Sequence, residues 1–318
     1  MSSLFDEDID LQEIQARLAS PDATVRRIAV RDLLDNGDDS HGPLFVQALR
    51  DPAPEVRVEA ANALEAFESE QGVAALVLAL EDEVPEVRAA AAQSLSQVKR
   101  AESAAVLVPA IGHAQPFVRA AVLRAVRELK AIAALEPALQ ALADADASVR
   151  REAVSVLGYL KQPQALGALA RLAASDPESE VRRGAVGALG FASGEDVVPA
   201  LLSALQDAAW QVREEAATTL GKLGHASTGP ALVAALEDSY WQVRLRAARS
   251  LGRIKFGPAV QPLIGLLEHT ISNLRKEAAL ALGELRDARA LPALKVAEQD
   301  PDPEVRKAVR LALAQIGG

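Results

Sequence analysis

At 318 residues with a net charge of −10, the chain is longer than one globular core readily holds, so two or three domains would be the ordinary expectation. Half of its residues are apolar and only 3% are aromatic, which suits close packing of helices through small and medium aliphatic side chains. It has no cysteine, which excludes disulfides, thiolate nucleophiles and Cys-ligated metals.

The first stretch, Met1 to Asp10, carries Asp6, Glu7, Asp8 and Asp10 and no basic residue. That is the wrong charge for a secretory leader, and residues 1–8 read as a flexible acidic N-terminus. The acid extends further: residues 1–100 hold 9 Lys+Arg against 20 Asp+Glu, and residues 101–318 hold 25 against 24. Such an end repels nucleic acid and anionic membrane; it either steers a basic partner or keeps a terminal unit in solution. Ile9 to Leu18 forms the first helical pattern, with Leu11, Ile14 and Leu18 on one stripe, and reads as an N-terminal cap. No apolar run approaches the eighteen or so residues of a membrane span, so a cytoplasmic protein with no membrane partner is expected.

From there a two-residue beat organises the chain. It sounds at Val25-Arg26, Val56-Arg57, Val87-Arg88, Val118-Arg119, Val149-Arg150, Val181-Arg182, Val212-Arg213, Val243-Arg244, Leu274-Arg275 and Val305-Arg306. The period is constant apart from one gap that is a single residue longer. A fixed period of this length signals a solenoid, whose units touch only their neighbours, so the core grows in one dimension and needs no domain boundary. In the seventh unit Val197 to Leu205 is an apolar segment of helical length, followed by a break at Gln206 to Trp210. Val212, Ala216, Ala217, Leu220 and Leu223 then mark one face of a second helix. Gly221 and Gly224 read as loosening its end, and units five to nine repeat that signal at Gly158, Gly190, Gly252 and Gly283. Each unit is thus a helix A and a helix B, and no segment alternates as a strand does. The last B helix ends at Ile316-Gly317-Gly318 without an added polar helix.

This pattern resembles the HEAT repeat, in the short form of the bacterial phycobilisome-lyase HEAT-like proteins, over residues 9–317. The resemblance implies an all-α fold: a right-handed α-solenoid superhelix of ten two-helix repeats, each about 31 residues long, forming a single domain over residues 1–318. It is specific for fold and weak for function, because that family includes scaffolds and lyase subunits alike.

Five residues before each beat stands Ser20, Asp51, Asp82, His113, Asp144, Asp176, Asp207, Asp238, His269 or Asp300. Each Asp can accept from backbone N–H groups at the start of helix B, and the Arg fork can bridge to the Asp of its own or the next unit. The resulting ladder comprises Asp51, Arg57, Asp82, Arg88, Asp144, Arg150, Asp176, Arg182, Asp207, Arg213, Asp238, Arg244, Asp300 and Arg306. A row of carboxylates binding metal or polycation is the alternative, but a residue demanded by every unit most simply serves the packing of every unit. His113 and His269 are five units apart, roughly 40 to 50 Å at helix-packing distances, and cannot share a metal. His41 and His225 have no second His at ligand spacing. None of the four is followed by Glu, so the His-Glu pairs of the iron-dependent hydroxylases built on this fold are missing. No metal, no cofactor and no catalytic residue is assigned.

With positions 0, +4, +5, +8 and +11 from the beat buried, positions −2, −1, +2, +6 and +10 lie on the face that helix B turns away from helix A, which the resemblance makes the concave surface. There the sequence varies. It carries Phe117, Tyr159, Phe191, Trp210, Trp241 with Tyr240 before it, and Arg124, Arg151, Arg183, Arg249 and Arg253, with Leu245 among them. Exposed aromatics mixed with Arg make up binding hot spots, so these residues are the candidate partner-binding set. Ala120, Ser155, Gly187 and Thr218 would leave a groove between them. Phe5, Phe45, Phe67 and Phe256 read instead as core.

The leading reading is a non-enzymatic scaffold that binds a protein or peptide of acidic and apolar character on units four to eight. The alternative, carried by the resemblance, is a subunit of a bilin lyase or isomerase, or a DNA-base-acting glycosylase using Glu214 or Glu215. The charge balance gives little pull on a phosphate backbone and disfavours nucleic acid. A third reading is homo-oligomerisation through the C-terminal repeat.

Overall fold

The computed structural model describes residues 11–37 and 39–317. The expectations for residues 1–8, for Phe5 and for the first two positions of the initial helix lie outside the described residues. The structure divides into two compact units, one ending at Leu160 and the other beginning at Lys161. Among the described residues every regular element is helical.

The first unit contains α1 (Leu11–Leu18), α2 (Ala23–Asn36), α3 (Gly42–Ala48), α4 (Pro54–Ala63), α5 (Glu70–Ala79), α6 (Pro85–Leu95), α7 (Ala104–Ala110), α8 (Pro116–Leu129), α9 (Leu135–Ala141) and α10 (Ala147–Leu160). The second contains α11 (Leu166–Ser175), α12 (Ser179–Ala188), α13 (Val198–Ala204), α14 (Trp210–Leu223), α15 (Gly229–Ala234), α16 (Trp241–Arg253), α17 (Val260–Leu266), α18 (Ser272–Leu285), α19 (Leu291–Ala297) and α20 (Pro303–Gly317). Odd-numbered helices are the A helices and even-numbered ones the B helices. The B helices start where the turn chemistry sets them. At α4, α6 and α8 an extended residue is followed by Pro at the first helical position, where the missing N–H costs nothing and φ is already helical.

Every beat position from Val56 to Val305 is fully buried, and Val25 in the first repeat is half-buried. Two further positions close the core between neighbouring B helices. Ser94 Oγ donates to Ala61 O at 2.9 Å and Ser250 Oγ to Ala217 O at 2.7 Å, so position +7 of one B helix lies against +5 of the one before. Position +9 shares that seam. A Cβ on Gly252 would stand 2.8 Å from Ala281 Cα, and one on Gly283 would stand 2.8 Å from Ala312 Cα. Gly221 is similarly pressed on Ser250. These glycines sit inside helices and permit close backbone approach; of Gly221 and Gly224, both expected at the helix end, it is Gly224 that caps α14, with φ of +79°.

The seam also identifies the outer surfaces of the first and last repeats. Seven residues before the beat, Leu49, Leu80, Ile111, Leu142, Leu205, Leu236 and Leu267 are buried, whereas α19 is followed there by exposed Glu298. At +5, Ala61, Leu123, Val154, Val186, Ala217, Ala248 and Ala279 are buried, and exposed Arg310 takes that place in α20. At +7 the first repeat has Asp32, paired to Arg17 at 2.5 Å. Glu298 and Arg310 thus stand in positions that are apolar in the earlier repeats, and Asp32 stands where the later repeats carry Ala, Val, Ser or Thr.

Candidate interaction surface

The ladder sets the positions of everything on the turn side. Arg57 donates from Nε and Nη2 to the two carboxylate oxygens of Asp82, each at 2.8 Å, while its Nη1 donates to Asp51 O and Pro52 O at 2.9 and 3.3 Å. The fork therefore holds the turn of its own repeat and the Asp of the following one. The same two-sided arrangement joins Arg26 to Asp51, Arg119 to Asp144, Arg182 to Asp207, Arg213 to Asp238 and Arg275 to Asp300, all with the closest approach at 2.7 Å. Each Asp also accepts from the backbone N–H two residues on, as Asp238 does from Tyr240 at 2.9 Å. Burial alone would raise the Asp238 carboxyl, but the hydrogen bonds from Arg213 and Tyr240 outweigh it and hold the group below its ordinary value. Arg150 and Asp176 are both buried, and Arg150 Nη1 holds Asp144 O at 2.9 Å.

Histidine interrupts the ladder twice, with different geometry. His113 Nδ1 accepts from Gln115 N at 3.1 Å, and its Nε2 lies 3.2 Å from Glu81 Oε1. Arg88 keeps its two carbonyl bonds, to Asp82 O at 2.8 Å and Glu83 O at 3.1 Å, and no described group accepts from its other edge. His269 Nδ1 accepts from Ile271 N at 3.0 Å, and its Nε2 lies 3.1 Å from Arg244 Nη1. A neutral imidazole has one acceptor nitrogen, so two facing donors cannot both be satisfied there. Arg244 Nε is buried without a partner. Burial first, then Arg244 and Arg275, hold His269 below its ordinary pKa.

Of the aromatic candidates, the structure brings two together. Trp210, the first residue of α14, stacks on Tyr240 with ring centroids 5.5 Å apart and planes 13° from parallel. The Arg213 guanidinium lies 5.6 Å from the Tyr240 ring centroid. Trp241 opens α16 directly after Tyr240. Tyr240 is 44% exposed, and both tryptophans are half-buried. In the first unit Phe117 and Tyr159 are exposed, Tyr159 under Arg127 at 5.3 Å. Phe191 is half-buried in a 3-10 turn. Phe45 is buried and stacked on Phe67, and Phe256 lies against Gly229.

The candidate arginines are largely engaged within the chain. Arg124 donates to Glu152 at 2.9 Å and Arg249 forks onto Glu277 at 2.8 and 2.7 Å. Both glutamates are buried. Arg151 is 3.6 Å from Glu152, and Arg183 is 3.0 Å from Glu180. Arg253 is exposed with no ion-pair partner among the described residues. Glu152 and Glu277 escaped the sequence reading, although the phase of the beat places +6 of one repeat against +3 of the next. Glu214, the acid available to a catalytic reading, pairs with Arg246 at 3.0 Å. Leu245 is half-buried. A cavity of about 790 Å³ lies elsewhere, in the first unit, lined among others by Leu18, Leu44, Gln47 and Pro52. No described helix is long and apolar enough to cross a membrane.

The family signature of HEAT repeats matches at residues 11–96, 73–139, 135–221, 191–239 and 229–314. No curated protein sequence matches significantly. Among solved structures, an engineered protein is 24% identical, covering 97% of this chain and 99% of its own, with a TM-score of 0.57. The E. coli protein YibA is 20% identical, covering 94% and 98%, with a TM-score of 0.57. Kap95, in its complex with Nup1, is 17% identical over 96% of this chain and 50% of its own, with a TM-score of 0.64. At such identities the likeness is one of fold.

Proposed function

The chain belongs to the HEAT-repeat family, and on that footing we propose that it is a protein-interaction scaffold whose contact surface is the turn side of α14 and α16. The observation that carries this reading is the Trp210–Tyr240 stack beside Trp241. Two adjacent repeats place Trp210 and Trp241 where every other repeat has Ala, Ser or Pro, and the stack leaves Tyr240 exposed rather than filling the core. Pre-stacked aromatic rings supply contact area at little entropic cost on binding. With Arg124 and Arg249 committed to buried carboxylates and Arg183 paired to the exposed Glu180, the partner's apolar side chains meet the aromatic rings. Its acidic ones, reaching along the helices from that side, meet Lys222 and Arg253, which are exposed in their last turns. Kap95 is itself found with Nup1 and with RanGDP, which illustrates the use of this fold for protein partners. Glu298 and Arg310 on the last repeat oppose stacking of a second copy there, so homo-oligomerisation is no part of the proposal.

The test is affinity capture from the native lysate with the wild-type chain and with the triple variant Trp210→Ala, Tyr240→Ala, Trp241→Ala. The expected result is loss of the captured protein with the melting temperature lowered by only a few degrees. Undiminished capture, or a collapse of the melting temperature, contradicts the reading.

A further inference from the structure

Arg88, in the first unit, has an open donor edge that the aromatic surface of α14 and α16 does not use. In the closed rungs the same guanidinium donates two parallel bonds to the Asp of the following repeat, as Arg57 does to Asp82. For Arg88 that position is His113, which lies against Glu81 instead. Arg88 nevertheless keeps the two carbonyl bonds that fix its plane. Its Nε and Nη2 are therefore pre-oriented donors, and Arg88 lines an open cavity of about 520 Å³ together with Glu81, Asp82, Glu83, Gln115 and Phe117. The Phe117 ring is 44% exposed. At His269 no comparable opening arises, because the imidazole contacts Arg244.

We propose that Arg88 is a socket for the carboxylate of a partner's Asp or Glu side chain, which completes the missing rung while an adjacent apolar residue packs on Phe117. A planar fork held in register takes a carboxylate with both N–H groups at once, and a carboxylate is what fills this place in the closed rungs. The surrounding charge narrows the ligand further. Asp82 is neutralised by Arg57, and Glu81 is engaged by His113 and Gln115. Glu83 remains 87% exposed, 4.0 Å from Arg57. A bare anion is opposed by that carboxylate, whereas a segment in which the acid is followed by Lys or Arg satisfies both signs. The occupant is thus an extended peptide segment of the type apolar–acidic–basic.

Three measurements on the purified full chain test this. The probe is the blocked tripeptide Ac-Leu-Asp-Lys-NH2, titrated at pH 7 while the Arg Nε–H resonances are followed by NMR; the Arg88 signal is identified by its loss in Arg88→Lys. The expected result is a saturable shift of that signal, with a dissociation constant of about 1 to 10 mM for one partly exposed ion pair with a small apolar contact. It should be absent with Ac-Leu-Asn-Lys-NH2. The variant His113→Asp, which supplies the rung from within the chain, should abolish the shift and raise the melting temperature. An unmoved Arg88 signal, equal response to the Asn peptide, or undiminished binding by His113→Asp overturns the proposal. So does a His113→Asp variant that is no more stable than the wild type, since the fork would then not be pre-oriented for a carboxylate.

Discussion

The two interrupted rungs carry the same substitution and differ in outcome. At His113 the imidazole is drawn to Glu81 and leaves Arg88 with an open donor edge; at His269 it faces Arg244 and leaves a buried Arg nitrogen without an acceptor. In both cases a Glu directly precedes the Asp of the repeat before, Glu81 ahead of Asp82 and Glu237 ahead of Asp238, so sequence at that position does not decide the result. The difference shows that a repeated array tolerates a lost rung in two ways, by exposing the unpaired charge or by burying the mismatch. The first leaves an accessible group; the second stores instability.

That contrast fixes the order of the expected effects. The largest should come from breaking a closed rung. Arg213→Ala strips a partly buried Asp238 of its bidentate partner and should cost about 2 to 3 kcal/mol in urea unfolding, while Arg88→Ala, which loses only two carbonyl bonds, should cost about 1 kcal/mol. Equal losses would erase the distinction between closed and open rungs. Next, His269→Asp should stabilise the chain by about 1 to 2 kcal/mol, because it replaces a donor–donor conflict with a charge-assisted fork. His113→Asp should gain less, since it removes the partner of Glu81 and adds a like charge beside it.

A smaller effect belongs to the pH profile. The folded state holds His269 below its ordinary value of 6.5, so the unfolded chain takes up a proton that the folded chain resists. Stability should therefore fall as pH drops from about 7 toward 5, and His269→Asp should remove that component of the slope. The smallest concerns the seam. Ser250 donates to Ala217 O, whereas Thr219, at the same position one repeat earlier, is buried with an unpaired hydroxyl. Ser250→Ala should cost about 1 kcal/mol and Thr219→Val should be neutral or stabilising, measured as melting temperatures.

The repeat made the fold legible, because one residue pair at constant phase fixes which helix face is buried in every unit. Where it misled, the cause is a neighbour out of view. Gly221, Gly252 and Gly283 read as helix-ending residues because glycine's local preference is visible in sequence, but the adjoining helix that requires them is not. Arg124 and Arg249 on the varied face read as available charge because their partners, Glu152 and Glu277, stand on the next B helix. The open edge of Arg88 was likewise hidden: the sequence shows that His replaces Asp at 113 and 269, but only the geometry distinguishes the two.

If recognition resides in the departures from the repeat rather than in the repeat itself, hydrogen–deuterium exchange of the chain with and without its captured partner addresses it most directly. Protection should appear on the first turns of α14 and α16, around residues 210–218 and 241–249, and leave the outer surfaces of α13, α15 and α17 unchanged. Protection confined to those A helices, with none at Trp210 and Trp241, would contradict the account.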